Sequence, residues 1–325
     1  MKIAYLVTIF SLFFGQLTGQ YSESNLSTDS LELEKRKKTL LIGSISTYTV
    51  SSIGLYFAWY KNYNQEKFHF FNDWNEWNNM DKMGHIYSSY AQSDLMYQLS
   101  KWSGYNEKSS LTIACLTALS FQTTFEIMDG FSSRWGFSVP DITANLLGVG
   151  SFYAQQKLWN EQRIRFKLSY WPVDYSDQVY SSETNLFNYT LANRAASLYG
   201  SNFLEKLVKD YNGQTIWMSA NLKSFWKNSS LPNWLNIALG FGVNNIYGGY
   251  RNTWELIDEN FIVSREQFPR TRHFVISPDV DFSKIQAKSP FMKTLFSLIN
   301  ILKIPAPAIV IDSSGKVSYF LIFKH

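Results

Sequence analysis

Residues 122–148 read QTTFEIMDGFSSRWGFSVPDITANLLG, two helical patterns with a break between them. Gln122, Glu126 and Asp129 follow at steps of four and three, which sets them on one face of the first helix. Asp141, Asn145 and Gly148 repeat that spacing on the second. Gly130 closes the first helix. Ser138-Val-Pro-Asp141 opens the second with a capping-box pattern and a proline in the first turn. Glu126 and Asp129 fall in the last turn of an apolar helix, where negative charge opposes the helix dipole, so capping does not account for them. Carboxylates buried without partners are costly, and these call for a cation, a donor or water.

The spacing recurs upstream. Residues 81–102 read as a helix carrying Asp81, His85, Ser88 and Gln92 at steps of four, three and four. The economical arrangement brings the three polar stripes together inside a bundle, where carboxylates on facing helices form a metal or proton site. Bland readings stand beside this one. Asp81 suits a first turn capped by Asn79, and Asp141 belongs to its capping box. A single histidine such as His85 is commonly hydrogen-bonded structure, and Arg134 in the following loop could pair with Glu126 or Asp129. His85, Glu126 and Asp129 are the candidate catalytic groups. Asp81, His85, Glu126 and Asp129 are the candidate metal ligands, and Asp81, Lys82, Asp141, Asn145 and Arg134 the candidate binding residues. One histidine among carboxylates would suit a divalent ion such as Zn or Mn.

The N-terminus has Lys2, an apolar run over 3–14 and Gln16-Leu17-Thr18-Gly19, the pattern of a signal peptide over 1–19, with an uncleaved anchor as the alternative. Residues 20–38 read as a flexible leader ending in the basic run Lys35-Arg36-Lys37-Lys38. Residues 39–60 carry no charge and as a helix would be roughly 33 Å long, enough to cross a hydrocarbon core. Seven of them are Ser or Thr, and Ser44, Thr47, Ser51, Gly54 and Ala58 make a stripe of small residues. The preceding basic run would also lie on the translocated side. The segment therefore reads as a helix packed in a bundle at a membrane. Residues 68–79, FHFFNDWNEWNN, read as an interfacial loop, and helices follow over 109–128 and 139–159.

Farther on, Arg163, Arg165 and Lys167 alternate with Ile164, Phe166 and Leu168, which is strand-like. A polar linker over 172–183 leads to a helical segment at 186–210. Residues 214–226 fit helix or strand, and 231–250 read as a short helix running into a glycine-rich loop. A strand at 272–277, a helix at 291–302 and a hairpin of 308–311 with 317–323 across Asp312-Ser-Ser-Gly315 close the chain. The expected fold is mainly α: a membrane-associated helical bundle over 39–160, and a mixed α+β region over 161–325 ending in a small antiparallel sheet.

Composition excludes several classes. With 325 residues, 45% hydrophobic and 17% charged, the chain is not disordered. Its one cysteine, Cys115, excludes a disulfide framework and a Cys-rich zinc site. A net charge of +4 is too mild to imply nucleic acid. Aromatic residues make up 17% of the chain, which suits a membrane interface. Neither a nucleophile elbow, nor a phosphate-binding loop, nor a His-Glu-x-x-His zinc motif occurs.

Asp81-Lys82-Met-Gly-His85, followed by Glu126-Ile-Met-Asp129-Gly130-Phe-Ser-x-x-Trp135-Gly136-Phe-Ser138-x-x-Asp141-x-x-x-Asn145-x-x-Gly148, resembles the YfiM-like family of predicted periplasmic lipoproteins, a family of unknown function. The pattern is more distantly similar to VanZ-like membrane proteins, and it covers residues 40–160. Segments at 210–217 and 303–307 resemble longer Bacteroidetes-type members. The resemblance implies a helical protein of the Gram-negative envelope, periplasmic and membrane-associated after signal cleavage, with the outer membrane among its candidate locations. An anchoring cysteine near the cleavage region is missing, a departure from the lipoprotein pattern.

Two functions follow as expectations. The first is a scaffold or binding protein whose stripes form an internal hydrogen-bond network, with membrane or envelope components as partners. The second is a metal-dependent hydrolase of an envelope lipid or glycan, in which a carboxylate activates water. Transport is a weaker third, because it needs several membrane spans.

Overall fold

A computed structural model describes residues 30–61, 63–256 and 258–323. The signal peptide read over 1–19, the leader as far as residue 29, and His325 lie outside the described residues. The chain divides into two units. The first comprises 85–163 and 282–301 with the described residues up to Asp73, and the second comprises 74–84, 164–281 and 302–323.

The first unit is helical. Helix α1 (Ser30–Leu55) begins inside the segment read as a leader. There Glu32 pairs with Arg36 and Glu34 with Lys37, spacings that support a helix. The helix runs on into a π-turn at Tyr56–Tyr60. A short strand β1 (Phe70–Phe71) precedes helix α2 (Met80–Trp102), whose first turn counts with the second unit. Helix α3 (Glu107–Gly130) starts at Asn106, whose side chain accepts from Ser109 N at 2.8 Å. Strand β2 (Phe137–Ser138) pairs in parallel with β1 and leads straight into helix α4 (Val139–Trp159). Ser138 caps α4 as its sequence signals, accepting from Asp141 N at 3.0 Å, and Asn160 ends it in the left-handed region. Gly148 lets α4 approach α2 closely: a Cβ there would overlap Ser89 Oγ and the Ile86 carbonyl.

The second unit is built on strands. These are β3 (Ile164–Tyr170), the pair β4 (Val179–Ser181) and β5 (Asn188–Thr190), β6 (Gln214–Asn221) and β7 (Leu235–Asn244). They continue with β8 (Thr253–Leu256) paired to β9 (Glu259–Ile262), then β10 (Thr271–Val280), β11 (Ala308–Asp312) and β12 (Val317–Phe320). Helices α5 (Leu191–Tyr199), α6 (Phe203–Lys209) and the single turn α7 (Leu222–Phe225) lie between strands, and α8 (Pro290–Ile299) belongs to the first unit. Six strands form one antiparallel sheet in the order β12-β11-β10-β7-β6-β3. Trp217, Ala238, Val275, Ala308 and Phe323 pack together against it.

This sheet overturns the mainly α reading. The described residues are 47% helix and 22% strand, and the fold is mixed α/β. The small terminal sheet is instead the edge of a six-stranded one, because the hairpin β11–β12 pairs with β10 and so with strands far upstream. The largest local miss is 231–250, where a ten-residue strand stands in place of a helix and loop. Its glycines are strand residues that admit bulk from the neighbours: a Cβ on Gly240 would lie 2.7 Å from the Trp217 ring, and one on Gly242 would meet His273. The segment at 186–210 breaks into α5 and α6 at Gly200, which has φ +84°. Among the described residues, the helix long and apolar enough to cross a membrane is α3, not the 39–60 segment.

Candidate functional site

Helices α2, α3 and α4 bring parts of their polar stripes together in the first unit. His85 on α2 is the centre. Its Nε2 stands 3.7 Å from Asp141 Oδ1 on α4 and 3.8 Å from Glu126 Oε1 on α3. Its Nδ1 faces Asn145 Oδ1 at 3.1 Å. In the tautomer that donates Nδ1–H to the amide oxygen, Nε2 presents its lone pair toward the carboxylates. Metal-binding histidines are oriented in this way, with the second ring N–H donated to an oxygen.

Both carboxylates are buried. Glu126 is 1% exposed and Asp141 5%. Glu126 Oε2 accepts from Ser138 N at 3.3 Å, so the residue that caps α4 also fixes the Glu126 carboxylate. Ser138 Oγ in turn donates to Asp73 Oδ1 at 2.6 Å. The 3.7 and 3.8 Å separations from Nε2 exceed hydrogen-bond length. Asn145 Nδ2 is buried and has no hydrogen-bond partner among the described residues. A donor in that state is satisfied by a water or a ligand oxygen. The His85 side chain is 21% exposed, so this face of the cluster reaches solvent.

The other residues singled out from sequence take different places. Asp81 lies one turn before His85 on α2, in the turn that counts with the second unit. Within the second unit, Asp81 accepts from Lys82 Nζ at 3.0 Å and from Tyr211 Oη at 2.8 Å. Asp129 accepts from Tyr60 Oη at 2.7 Å. Burial and then the Asp129 charge raise the Tyr60 pKa, which keeps that phenol a donor. Arg134 is exposed. Of the stripe residues, Gln122 and Ser88 meet directly, Gln122 Nε2 donating to Ser88 Oγ at 3.2 Å. Sequence reasoning missed Asp73, Ser138 and Tyr60 as parts of this network. Ser138 was legible only as a cap, and nothing in the spacing of Asp73 or Tyr60 marks them.

The sequence comparisons bear on this same region. Residues 69–157 match a family model described as "Predicted periplasmic lipoprotein (DUF2279)", a span that holds α2, α3 and α4. That description agrees with a cell-envelope protein. The match supports this domain family and neither the YfiM naming nor a VanZ-like relationship. No curated protein and no solved structure matches the chain.

Proposed function

We propose that this is an envelope protein of a Gram-negative bacterium, located on the periplasmic side of a membrane, whose helical unit holds one divalent cation and uses it to hydrolyse an envelope lipid or glycan. The observation that carries the reading is the His85 ring, with Nδ1 held by Asn145 and Nε2 facing two buried carboxylate oxygens beyond hydrogen-bond distance. His85 and Asp141 are the ligands, and Glu126 is the general base. A cation bound there lowers the pKa of a water in its open positions. Two protein ligands with water around them suit Mn, and Zn would take a further ligand. Asn145 Nδ2 is the donor available to a substrate or water oxygen.

A scaffold reading is favoured by one set of contacts, the chain Asp73–Ser138–Glu126 and the Gln122–Ser88 bond, which tie loops and helices together without any ion. Titration of the purified full chain with Mn and Zn, read by calorimetry and elemental mass spectrometry, separates the two. One ion per chain, lost in His85→Ala and Asp141→Asn and kept in Glu126→Gln, supports the cation centre. Lack of binding to the wild-type chain, with all three variants merely less stable, makes the network structural.

A further inference from the structure

One face of the six-stranded sheet packs the core of the unit, and the other is apolar and largely open. Side chains alternate between faces along each strand, so residues paired across the sheet share a face. One paired row runs Phe166, Met218, Leu239, Ile276, Ile309, Tyr319, and the next runs Leu168, Ile216, Phe241, Phe274, Ile311, Val317. Every position in both rows is apolar or aromatic. The other face is buried and mixed: the core residues Trp217, Ala238 and Val275 stand there beside Lys167, Thr215, Ser219, His273 and Ser277, each at most 2% exposed. An antiparallel sheet in water buries its apolar face and wets its polar one.

Here a second apolar face is left largely open, with Phe166 and Ile216 its buried members. Along the first row Phe166 is 8% exposed, Leu239 51% and Tyr319 78%, with Met218, Ile276 and Ile309 at 40–42%. An apolar patch spread over several strands exceeds what a water-exposed surface ordinarily carries. An apolar surface turned outward is the pattern of sheets that face lipid. The rim fits the same surroundings. The connection between β6 and β7 exposes Phe225, Trp226, Lys227 and Trp234, aromatic rings for the headgroup level and a cation for anionic lipid. Among the described residues β3 and β12 are the edge strands, with a bridge from Leu168 to Leu302 beyond β3, and a sheet that is not closed does not occur within hydrocarbon. The sheet therefore lies on a leaflet and does not span it.

We infer that the outer face of this sheet is a membrane-docking surface whose occupant is the acyl-chain layer of a lipid leaflet, with the β6–β7 connection at the headgroups. The inference rests on the membrane-side placement proposed above and is independent of the cation centre. It is tested by co-sedimentation of the full chain with vesicles of phosphatidylethanolamine and phosphatidylglycerol. Leu239→Asn combined with Ile276→Asn is expected to lower the bound fraction at least fivefold, with unchanged circular dichroism. A fluorophore on Tyr319→Cys, in a Cys115→Ala background, is expected to shift to the blue on vesicles and to be quenched by brominated acyl chains. Absence of vesicle binding by the wild-type chain would overturn the membrane placement itself. Binding that survives the double substitution, with an unquenched fluorophore, would overturn the role of the sheet alone. A wild-type dimer that the double substitution dissociates would assign the face to a second copy and overturn the lipid assignment.

Discussion

Both units bury charge, and they do it differently. In the sheet, Lys167 Nζ lies 2.9 Å from Asp279 Oδ2 and donates to the Val280 carbonyl at 2.7 Å, while Ser219 Oγ donates to the same Asp279 oxygen at 2.6 Å. Those contacts are at hydrogen-bond length, and both ionic side chains are fully buried. In the helical unit, His85 Nε2 faces its carboxylates at 3.7 and 3.8 Å and is partly open to solvent. The pair is made at hydrogen-bond length through Oδ2, and Asp279 Oδ1 is buried without a hydrogen-bond partner among the described residues. An open set of donor atoms, held at that spacing by a second layer of bonds, is what a cation site requires.

The two regions therefore respond differently to substitution and to pH. The largest effect is expected at the closed pair. Lys167→Met leaves Asp279 buried without its cation and should cost about 3–5 kcal/mol in chemical denaturation, with much of the loss recovered by adding Asp279→Leu. A small loss in the single variant would show that the pair is not closed.

Next comes pH. Burial lowers the His273 pKa from 6.5 to about 4, against an opposing pull from Asp312. The unfolded chain then binds the proton more readily than the folded one. The stabilising contribution is whole above pH 6.5 and disappears as pH falls through about 4. His273→Gln should flatten the fall in denaturation midpoint between those values, and an unchanged pH profile would place His273 in contact with water.

The open set should respond to ions instead. At a concentration a hundred times its dissociation constant, a cation bound only by the folded chain adds about 2.7 kcal/mol. The wild-type Tm should therefore rise with Mn or Zn, and His85→Ala should abolish the rise. An equal rise in the variant would place the ion elsewhere. The smallest effect is expected at Gly148→Ala, where the new methyl meets Ser89 Oγ and the Ile86 carbonyl. Overpacking of this kind costs about 1–3 kcal/mol, and because it moves α4 against α2 it should also weaken ion binding at His85. Weaker folding with unchanged ion affinity would separate the helix packing from the site.

Much of the helical unit was legible in the sequence, since its signals are local. The spacing of Asp81, His85, Glu126, Asp141 and Asn145 and the cap at Ser138 depend only on neighbours within a turn or two, and α2, α3 and α4 stand close to where the pattern puts them. Strand β7 was obscured because Gly240 and Gly242 read as loop residues until Trp217 and His273 are seen filling the space above them. Its alternation of Leu235, Ile237, Leu239, Phe241 and Val243 was present all along.

What the sequence determines by itself is periodicity: which residues share a helix face and which strand residues alternate. Pairing belongs to the tertiary structure. Strand β3 joins β6, and the terminal hairpin joins β10, over separations that no local pattern encodes. Only that pairing shows that one sheet face packs the core while the other is apolar and largely open. The same holds at the site: spacing proposed three stripes, and packing decided that Glu126 and Asp141 meet His85 while Asp129 goes to Tyr60. Long-range contacts form where whole surfaces fit together, and fit is a property of the assembled chain.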